Sequence, residues 1–419
     1  METSTYSARA RESAGTQSVG ASPRGSLDEW MLQSLLRTAG EPAIEIRLGN
    51  GARISVPEVA PVASMRIADR GTLLRILRNP QIGVGDAYSD GSVEIDGDLV
   101  QFMKEVYRVA ARAGSHDSLV HRVSGWLPNH YRHSLASSRD NAQHHYDLGN
   151  DFYSLWLGET MAYTCAYYPT VDATLDQAQT AKMDYVCRKL RLQRGDAVVE
   201  AGCGWGSLAL YMASHYGARV TAFNVSTEQL AFARERCKAL GLESRVDFIE
   251  DDSRNISGRY DAFVSVGMLE HVGPEHYAGL GRVAHESLAD HGRGLIHSIG
   301  RNQSEPTHPW IERRIFPGSY IPSLGEMTSI FEPWKLSVLD VENLRRHYAL
   351  TLRDWLRRYE AAVGQVRAMF DERFVRMWRL YLSSAIAAFE SGEMQLFQVL
   401  FTKPENNLVP LTRDYLYRS

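Results

Sequence analysis

The chain has 419 residues, of which 44% are hydrophobic and 23% charged, and its 46 Lys and Arg nearly balance 50 Asp and Glu. This length exceeds the usual single domain, so an ordinary composition predicts a buried core shared between two modules. The net charge of −4 excludes a general attraction to nucleic acid or anionic lipid, so membrane contact would need a local patch. No run of about 18 apolar residues exists to span a bilayer as a helix. The first residues lack a basic start followed by an apolar stretch, so a cytoplasmic location is expected. Cys165, Cys187, Cys203 and Cys237 show no CxxC spacing and read as reduced thiols.

Residues 1–26, rich in Ser, Ala, Gly and Arg without apolar periodicity, predict a disordered tail. Alternation through Ile44–Leu48, the turn Gly49-Asn50-Gly51 and the run Arg53–Val56 predict a β-hairpin. Helical spacing follows at Leu73–Leu77 and Leu99–Val109. Residues 27–112 therefore read as a small mixed α/β domain, and no constellation of catalytic residue types falls within it. Residues 113–145, with Gly125, Trp126 and Pro128, read as a linker. Its histidines His116, His121, His130, His133, His144 and His145 lack ligand spacing or a carboxylate set, so no metal site is expected.

The catalytic domain is assigned to 146–419. From residue 180 short strands alternate with helices: Ala197–Glu200, Arg219–Phe223, Val246–Ile249, Tyr260–Val266 and Gly294–Ile299. That alternation predicts a parallel sheet covered by helices on both faces. Leu352, Trp355, Leu356 and Tyr359, then Val366–Phe389, repeat at helical spacing before a last strand near Phe397–Phe401. Their aromatic stripe suits a core, or a helical cover over an acyl pocket.

Glu200-x-Gly202-x-Gly204-x-Gly206 closes the first strand of this region. Glycines there permit positive φ and let the backbone approach a ligand lying across the strand's carboxyl end. An acidic residue before them suits a cationic aminoacyl group better than a pyrophosphate, which favours S-adenosylmethionine (SAM) over a dinucleotide. Asn224 to Gln229 follows the second strand, where polar groups can bond ribose hydroxyls, although Ser226 or Thr227 could simply cap the next helix. Glu250-Asp251-Asp252-Ser253 follows the third, where a carboxylate can accept the adenine amino group.

Several further motifs stand in order along the chain. They are His145-Tyr146-Asp147-Leu148-Gly149-Asn150-Asp151-Phe152-Tyr153, Tyr163-Thr164-Cys165-Ala166-Tyr167-Tyr168 and Gly202-Cys203-Gly204-Trp205-Gly206. Val266–Gly273, Leu295–Gly300 and Tyr348–Leu352 follow. Together they resemble the cyclopropane-fatty-acyl-phospholipid synthase family, which includes mycolic acid cyclopropane synthases and fatty-acid methyltransferases. The resemblance covers about 140–403, and more weakly 27–112, which is similar to a non-catalytic N-terminal domain. It implies a class I SAM-dependent methyltransferase fold, Rossmann-like, with a mostly parallel seven-stranded sheet and helical acyl-binding insertions.

The resemblance also implies roles. Cys165, Glu270, His297, Tyr348 and the backbone of Ile299 correspond to ligands of a bicarbonate that takes a proton. Tyr163, Thr164, Gly202, Gly204, Gln229 and Asp252 fall where the family contacts SAM. The departures are Glu200 for the usual Asp, Thr164 for the commoner Ser, and Ala349-Leu350 where some members are polar. The implied reaction adds a methylene from SAM across a cis double bond of an unsaturated phospholipid acyl chain, giving a cyclopropane. The implied enzyme is a homodimer, peripherally bound to the inner face of the membrane. A methyl-branched or methylene-bearing acyl product, a soluble small-molecule substrate and a non-catalytic lipid-binding protein are the alternatives.

Overall fold

The computed structural model describes residues 27–113 and 148–417. The expected tail, the six linker histidines and the His145-Tyr146-Asp147 start of the first motif lie outside the described residues.

The N-terminal part comprises α1 (Leu27–Thr38), β1 (Ile44–Leu48), β2 (Arg53–Ser55), β3 (Ala63–Ile67), α2 (Arg70–Arg78), α3 (Pro80–Ser89), β4 (Val93–Asp96) and α4 (Leu99–Ala113). The expected hairpin forms, with Ile46 opposite Ile54. It is widened by two strands that the pattern did not announce, in the order β2-β1-β3-β4. Ala63–Ile67 buries four of its five residues, so it carries no alternation to read. β4 has only four residues, Val93–Asp96, with one buried.

The larger part begins with α5 (Asn150–Leu157) and α6 (Leu175–Leu190), the latter started by a Thr174–Gln177 capping box. Then follow β5 (Ala197–Ala201), α7 (Ser207–His215), β6 (Arg219–Asn224), α8 (Thr227–Ala239), β7 (Val246–Glu250), β8 (Tyr260–Val266), α9 (Tyr277–Ser287) and β9 (Leu288–Gly300). α10 (Pro309–Arg314), α11 (Leu324–Phe331), β10 (Ser337–Asn343), α12 (Arg345–Ala361), α13 (Val363–Met369), α14 (Glu372–Ser391) and β11 (Gln395–Thr402) complete it.

The seven strands lie in the order β10-β11-β9-β8-β5-β6-β7. β5 to β9 pair in parallel, and β11 runs antiparallel between β9 and β10. All eight residues of β11 are buried, as expected for a strand covered on both faces. β9 begins at Leu288, earlier than the expected Gly294, and the exposed Asp290 and His291 near its start interrupt the apolar run that marks the rest of the strand. β10 was not anticipated. As an edge strand it leaves every residue at least partly exposed, so it lacks an apolar run.

One hydrophobic cluster runs from Leu32 and Ile46 to Trp156, Trp355 and Trp378, so the smaller part shares its core with α5, α12 and α14. The contact is polar at its rim. Arg376 on α14 donates from Nε to Tyr88 O at 2.6 Å and from Nη2 to Val93 O at 2.9 Å, and its guanidinium lies 4.4 Å from the Tyr88 ring centroid. Arg314 makes a forked bond to Asp86 at 3.0 and 2.7 Å. Arg376→Ala is expected to lower stability by about 2–3 kcal/mol, since two carbonyls lose a charged donor and a ring loses its cation. Urea unfolding of the full chain checks this, with Arg313→Ala on α10 as the control.

Candidate active site

The site lies at the carboxyl edge of the sheet, where β5 is flanked by β6 on one side and β8 on the other and the order of connection reverses. β5 ends in Glu200-Ala201 and the chain turns through Gly202, Gly204 and Gly206 at φ of +83°, +54° and +78°. A Cβ on Gly202 would stand 2.9 Å from Met268 Cβ. One on Gly206 would stand 2.8 Å from the Phe248 ring. Gly206 caps α7 and packs behind the turn, whereas Gly202 and Gly204 face a cavity. Tyr163, Thr164, Glu200, Asn224, Gln229 and Asp252 line the same cavity.

Local bonds fix these groups. Asn224, at the end of β6, donates from Nδ2 to Gly204 O at 3.1 Å and to Gln229 Oε1 at 2.9 Å. Ser226 caps α8 by accepting from Gln229 N, so capping and cavity lining coexist. Asp252 opposes Arg254 at 2.8 Å through both oxygens. Burial alone would raise the Asp252 pKa, but the guanidinium and the Arg254 N–H hold it below the usual carboxylate value. Glu200 is 2% exposed, and burial pushes its pKa up to about 8. Its Oε2 has no hydrogen-bond partner among the described residues.

A second group backs onto this cavity. Glu270 sits in the turn after β8, and its Oε1 accepts the Ile299 N–H at 2.7 Å. Burial raises its pKa to about 7 against that bond. Its Oε2 has no hydrogen-bond partner among the described residues. His297, two residues before Ile299 on β9 and on the same strand face, is 1% exposed. Burial, aided by Lys182 and Lys189, pushes its pKa well below the usual value, so the ring is neutral. Gln398 Nε2 stands 3.0 Å from His297 Nδ1. With the amide NH₂ assigned to face Nδ1, Nδ1 accepts and the ring proton is on Nε2, which has no partner among the described residues.

Tyr348 and Cys165 approach from the helical side. The Leu344 N–H bonds Leu396 O at 2.8 Å, and Leu396 lies opposite Ile299, so α12 starts beside the Glu270–Ile299 contact. Tyr348 is one turn into α12, its N–H donating to Leu344 O. Cys165 is fully buried, with its thiol pKa pushed up by burial. The following N–H, of Ala166, donates to Thr351 Oγ1 at 3.0 Å, fastening this segment to α12. Gly267 N–H donates to His297 O at 2.8 Å, and Gly267, Met268 and Thr164 line the cavity at the glycine turn. Glu270 lies between the cavity-lining Met268 and His271, and His297 is bonded through its carbonyl to the cavity-lining Gly267.

Aromatic rings fill the space between the helices. Trp355 lies 5.3 Å from Tyr163, 5.6 Å from Trp156 and 5.9 Å from Tyr348. Tyr348 also packs 4.6 Å from Phe389. Tyr163 and Tyr381 share a hydroxyl contact of 2.9 Å. Tyr163 belongs both to this cluster and to the lining of the glycine-turn cavity, so the two spaces meet at its ring.

Two side chains at the site were not anticipated. Gln398 is a lone polar residue within the apolar strand Leu396–Leu400. Lys182 falls on the buried stripe Ala178, Lys182, Val186 of α6, where an apolar residue is expected. In both cases the visible signal is a polar residue at a core position.

A glycine turn at the carboxyl edge of a seven-stranded sheet with one antiparallel strand defines a class I SAM-dependent methyltransferase. The solved structure of a mycolic acid cyclopropane synthase complexed with SAH and CTAB is similar at a TM-score of 0.60 and 29% identity, covering 63% of this chain and 98% of that one. The family model described as mycolic acid cyclopropane synthetase matches residues 133–399, and the chain belongs to this family. The cyclopropane-fatty-acyl-phospholipid synthase of Escherichia coli is 34% identical over 86% of this chain and 93% of its own length. A relative from Pseudomonas putida, named a probable fatty acid methyltransferase, is 38% identical over 80% of this chain and 86% of its own. The protein is an enzyme, a SAM-dependent methyltransferase of the cyclopropane synthase and fatty acid methyltransferase group. No described helix is long and apolar enough to cross a membrane.

Proposed function

We propose that the protein is a cyclopropane fatty acid synthase, adding a methylene from SAM across a cis double bond of an unsaturated phospholipid acyl chain, with bicarbonate as the proton acceptor. One observation carries this reading: the buried Glu270 Oε2 and His297 Nε2–H, an acceptor and a donor, both lack partners among the described residues directly behind the cofactor cavity. A carboxylate acceptor and a neutral ring donor suit a small anion that can both donate and accept, as bicarbonate does. Cys165, the Ile299 peptide and Tyr348 would be its other holders. When bound, SAM supplies an electrophilic methyl group and bicarbonate a proton acceptor.

The chain's own groups have clear tasks in this scheme. An isolated alkene is a weak nucleophile, so the glycine turn, Asn224, Gln229 and Asp252 must hold the adenosyl end rigidly enough to aim the methyl, within about 3–3.5 Å of its target. Positive charge then develops on the acyl chain. The faces of Tyr163, Trp355 and Tyr348 can stabilise it without bonding to it, and their packing excludes water that would trap it. Glu270 and His297 polarise the base and keep it facing the newly added methyl, whose proton must leave for the ring to close. The complex of a relative with CTAB, a long-chain cationic amphiphile, fits an apolar channel that tolerates a positive charge.

Residues 27–112 are read as a non-catalytic domain, 113–145 as a linker and 146–419 as the catalytic domain. Homodimer formation and peripheral attachment to the inner membrane face belong to the same proposal. A methyl-branched product is the second reading, favoured by the name of the Pseudomonas putida relative. The test is incubation with SAM and vesicles of cis-unsaturated phospholipid, followed by mass spectrometry of the released fatty acids. Acyl chains heavier by one methylene and resistant to hydrogenation are expected, with no product from saturated vesicles. A chain that gains a methyl and remains hydrogenatable would support the second reading, and activity only on soluble small molecules would contradict both.

A further inference from the structure

Lys182 is 3% exposed on α6, lines the cofactor cavity, and spends one hydrogen bond, Nζ to Thr164 Oγ1 at 2.9 Å. It makes no ion pair among the described residues, in contrast to Lys189 about two turns further along the same buried face, which reaches Glu342 at 2.6 Å and Asp340 at 3.7 Å. An ammonium has three donors and is expensive to bury without an anion. Across the same cavity stands Glu200, whose Oε2 is also without a partner among the described residues. The two are close enough to influence each other's charge, yet they do not close into a salt bridge. A buried ammonium and a buried carboxyl group that can ionise beside a cation, held apart and both facing one cavity, are complementary to a zwitterion.

We propose that Lys182 binds the α-carboxylate of SAM while Glu200 receives its α-ammonium. This deepens the reading of the cavity as the cofactor site and rests on it. The assignment explains why a lysine occupies a core position on α6. Its burial pushes the pKa down to about 8 even though Cys165 and Glu200 oppose that shift, and a bound carboxylate returns the stabilisation that dehydration removed. It also adds to the selectivity of the site, because the cofactor without its carboxylate would leave the ammonium buried and uncompensated.

Isothermal titration of the full chain with two ligands tests the assignment: S-adenosylhomocysteine, and its decarboxylated analogue 5′-deoxy-5′-(3-aminopropylthio)adenosine. The wild-type protein should bind the first about tenfold to a hundredfold more tightly. Lys182→Met should erase that preference, weakening S-adenosylhomocysteine while leaving the analogue's affinity nearly unchanged. Equal affinities in the wild-type protein would overturn the proposal without any recourse to a variant, as would a Lys182→Met protein that keeps the preference. An effect of the variant on bicarbonate dependence alone would overturn it as well, placing the ammonium with that anion. Failure of both ligands to bind the wild-type protein would instead remove the cofactor reading of this cavity.

Discussion

Glu270→Gln is expected to reduce turnover by about a hundredfold to a thousandfold while raising the melting temperature above pH 7. The two effects have one origin. The carboxylate is 7% exposed and its pKa is raised by burial to about 7, from an ordinary 4.5. Above that pH the folded protein holds an ionised group in a dry place, compensated chiefly by the Ile299 N–H. The sign follows from linkage. Between pH 4.5 and 7 the native state binds this proton more tightly than the unfolded chain, so the stability contributed by Glu270 is present at low pH and lost as pH rises through 7. Glutamine keeps an oxygen for the Ile299 N–H and never ionises. It should therefore stabilise the fold by about 1–3 kcal/mol at pH 8 and by little at pH 5. Activity moves the other way, since Gln presents an NH₂ where an acceptor is needed. The wild-type rate should rise with pH through about 7, and the variant's residual rate should lack that limb. Thermal unfolding and pH–rate profiles of the two proteins check both halves.

Gly202→Ala should weaken S-adenosylhomocysteine binding by about a hundredfold. At φ +83° an alanine pays about 1–2 kcal/mol, and its Cβ would lie 2.9 Å from Met268 Cβ and 3.1 Å from its Cγ. Met268 lines the cavity and directly precedes the Leu269–His271 turn that carries Glu270, so the displacement reaches both halves of the site. Gly204→Ala provides the contrast. Its φ is +54°, and nothing lies within 4 Å of the added carbon. Only the backbone cost applies there, and a loss of about tenfold or less is expected. Calorimetric titration of both variants measures the difference.

The parts of the site that could be read in the sequence are those where local chemistry and pattern coincide. The glycine turn follows a short apolar strand and leads an apolar helix, so its position at a sheet edge was visible in residues 197–212. Polar residues ending β6 and β7 were visible for the same reason. The five parallel strands alternate with helices at spacings that permit little else, apart from the polar start of β9. Edge strand β10 and short strand β4 could not be seen, because few of their residues are buried and pairing across the sheet, not local pattern, makes them strands. Gln398 and Lys182 were hidden differently. Each sits where an apolar side chain belongs, and only the packing of β11 on β9, or of α6 over the cavity, shows what the polar group faces.

The roles proposed for Cys165, Glu270, His297, Ile299 and Tyr348 rest on resemblance, since no spacing in the chain links them. The contacts that link their segments are tertiary: a carboxylate on a strand peptide, a helix start hydrogen-bonded to the neighbouring strand, and a thiol segment tied to that helix by Thr351. Such contacts join residues from 29 to 185 positions apart in the sequence. Local periodicity carries no information about them.

Methyl-deuterated SAM offers the most direct measurement. If an anchored acceptor faces the transferred methyl, unsaturated vesicles treated with the labelled donor must yield acyl chains that keep two of the three deuterons, saturated ring included. Chains that keep all three would mean that the proton leaves from another carbon, and the arrangement of Glu270 and His297 behind the cofactor cavity would then have been misread.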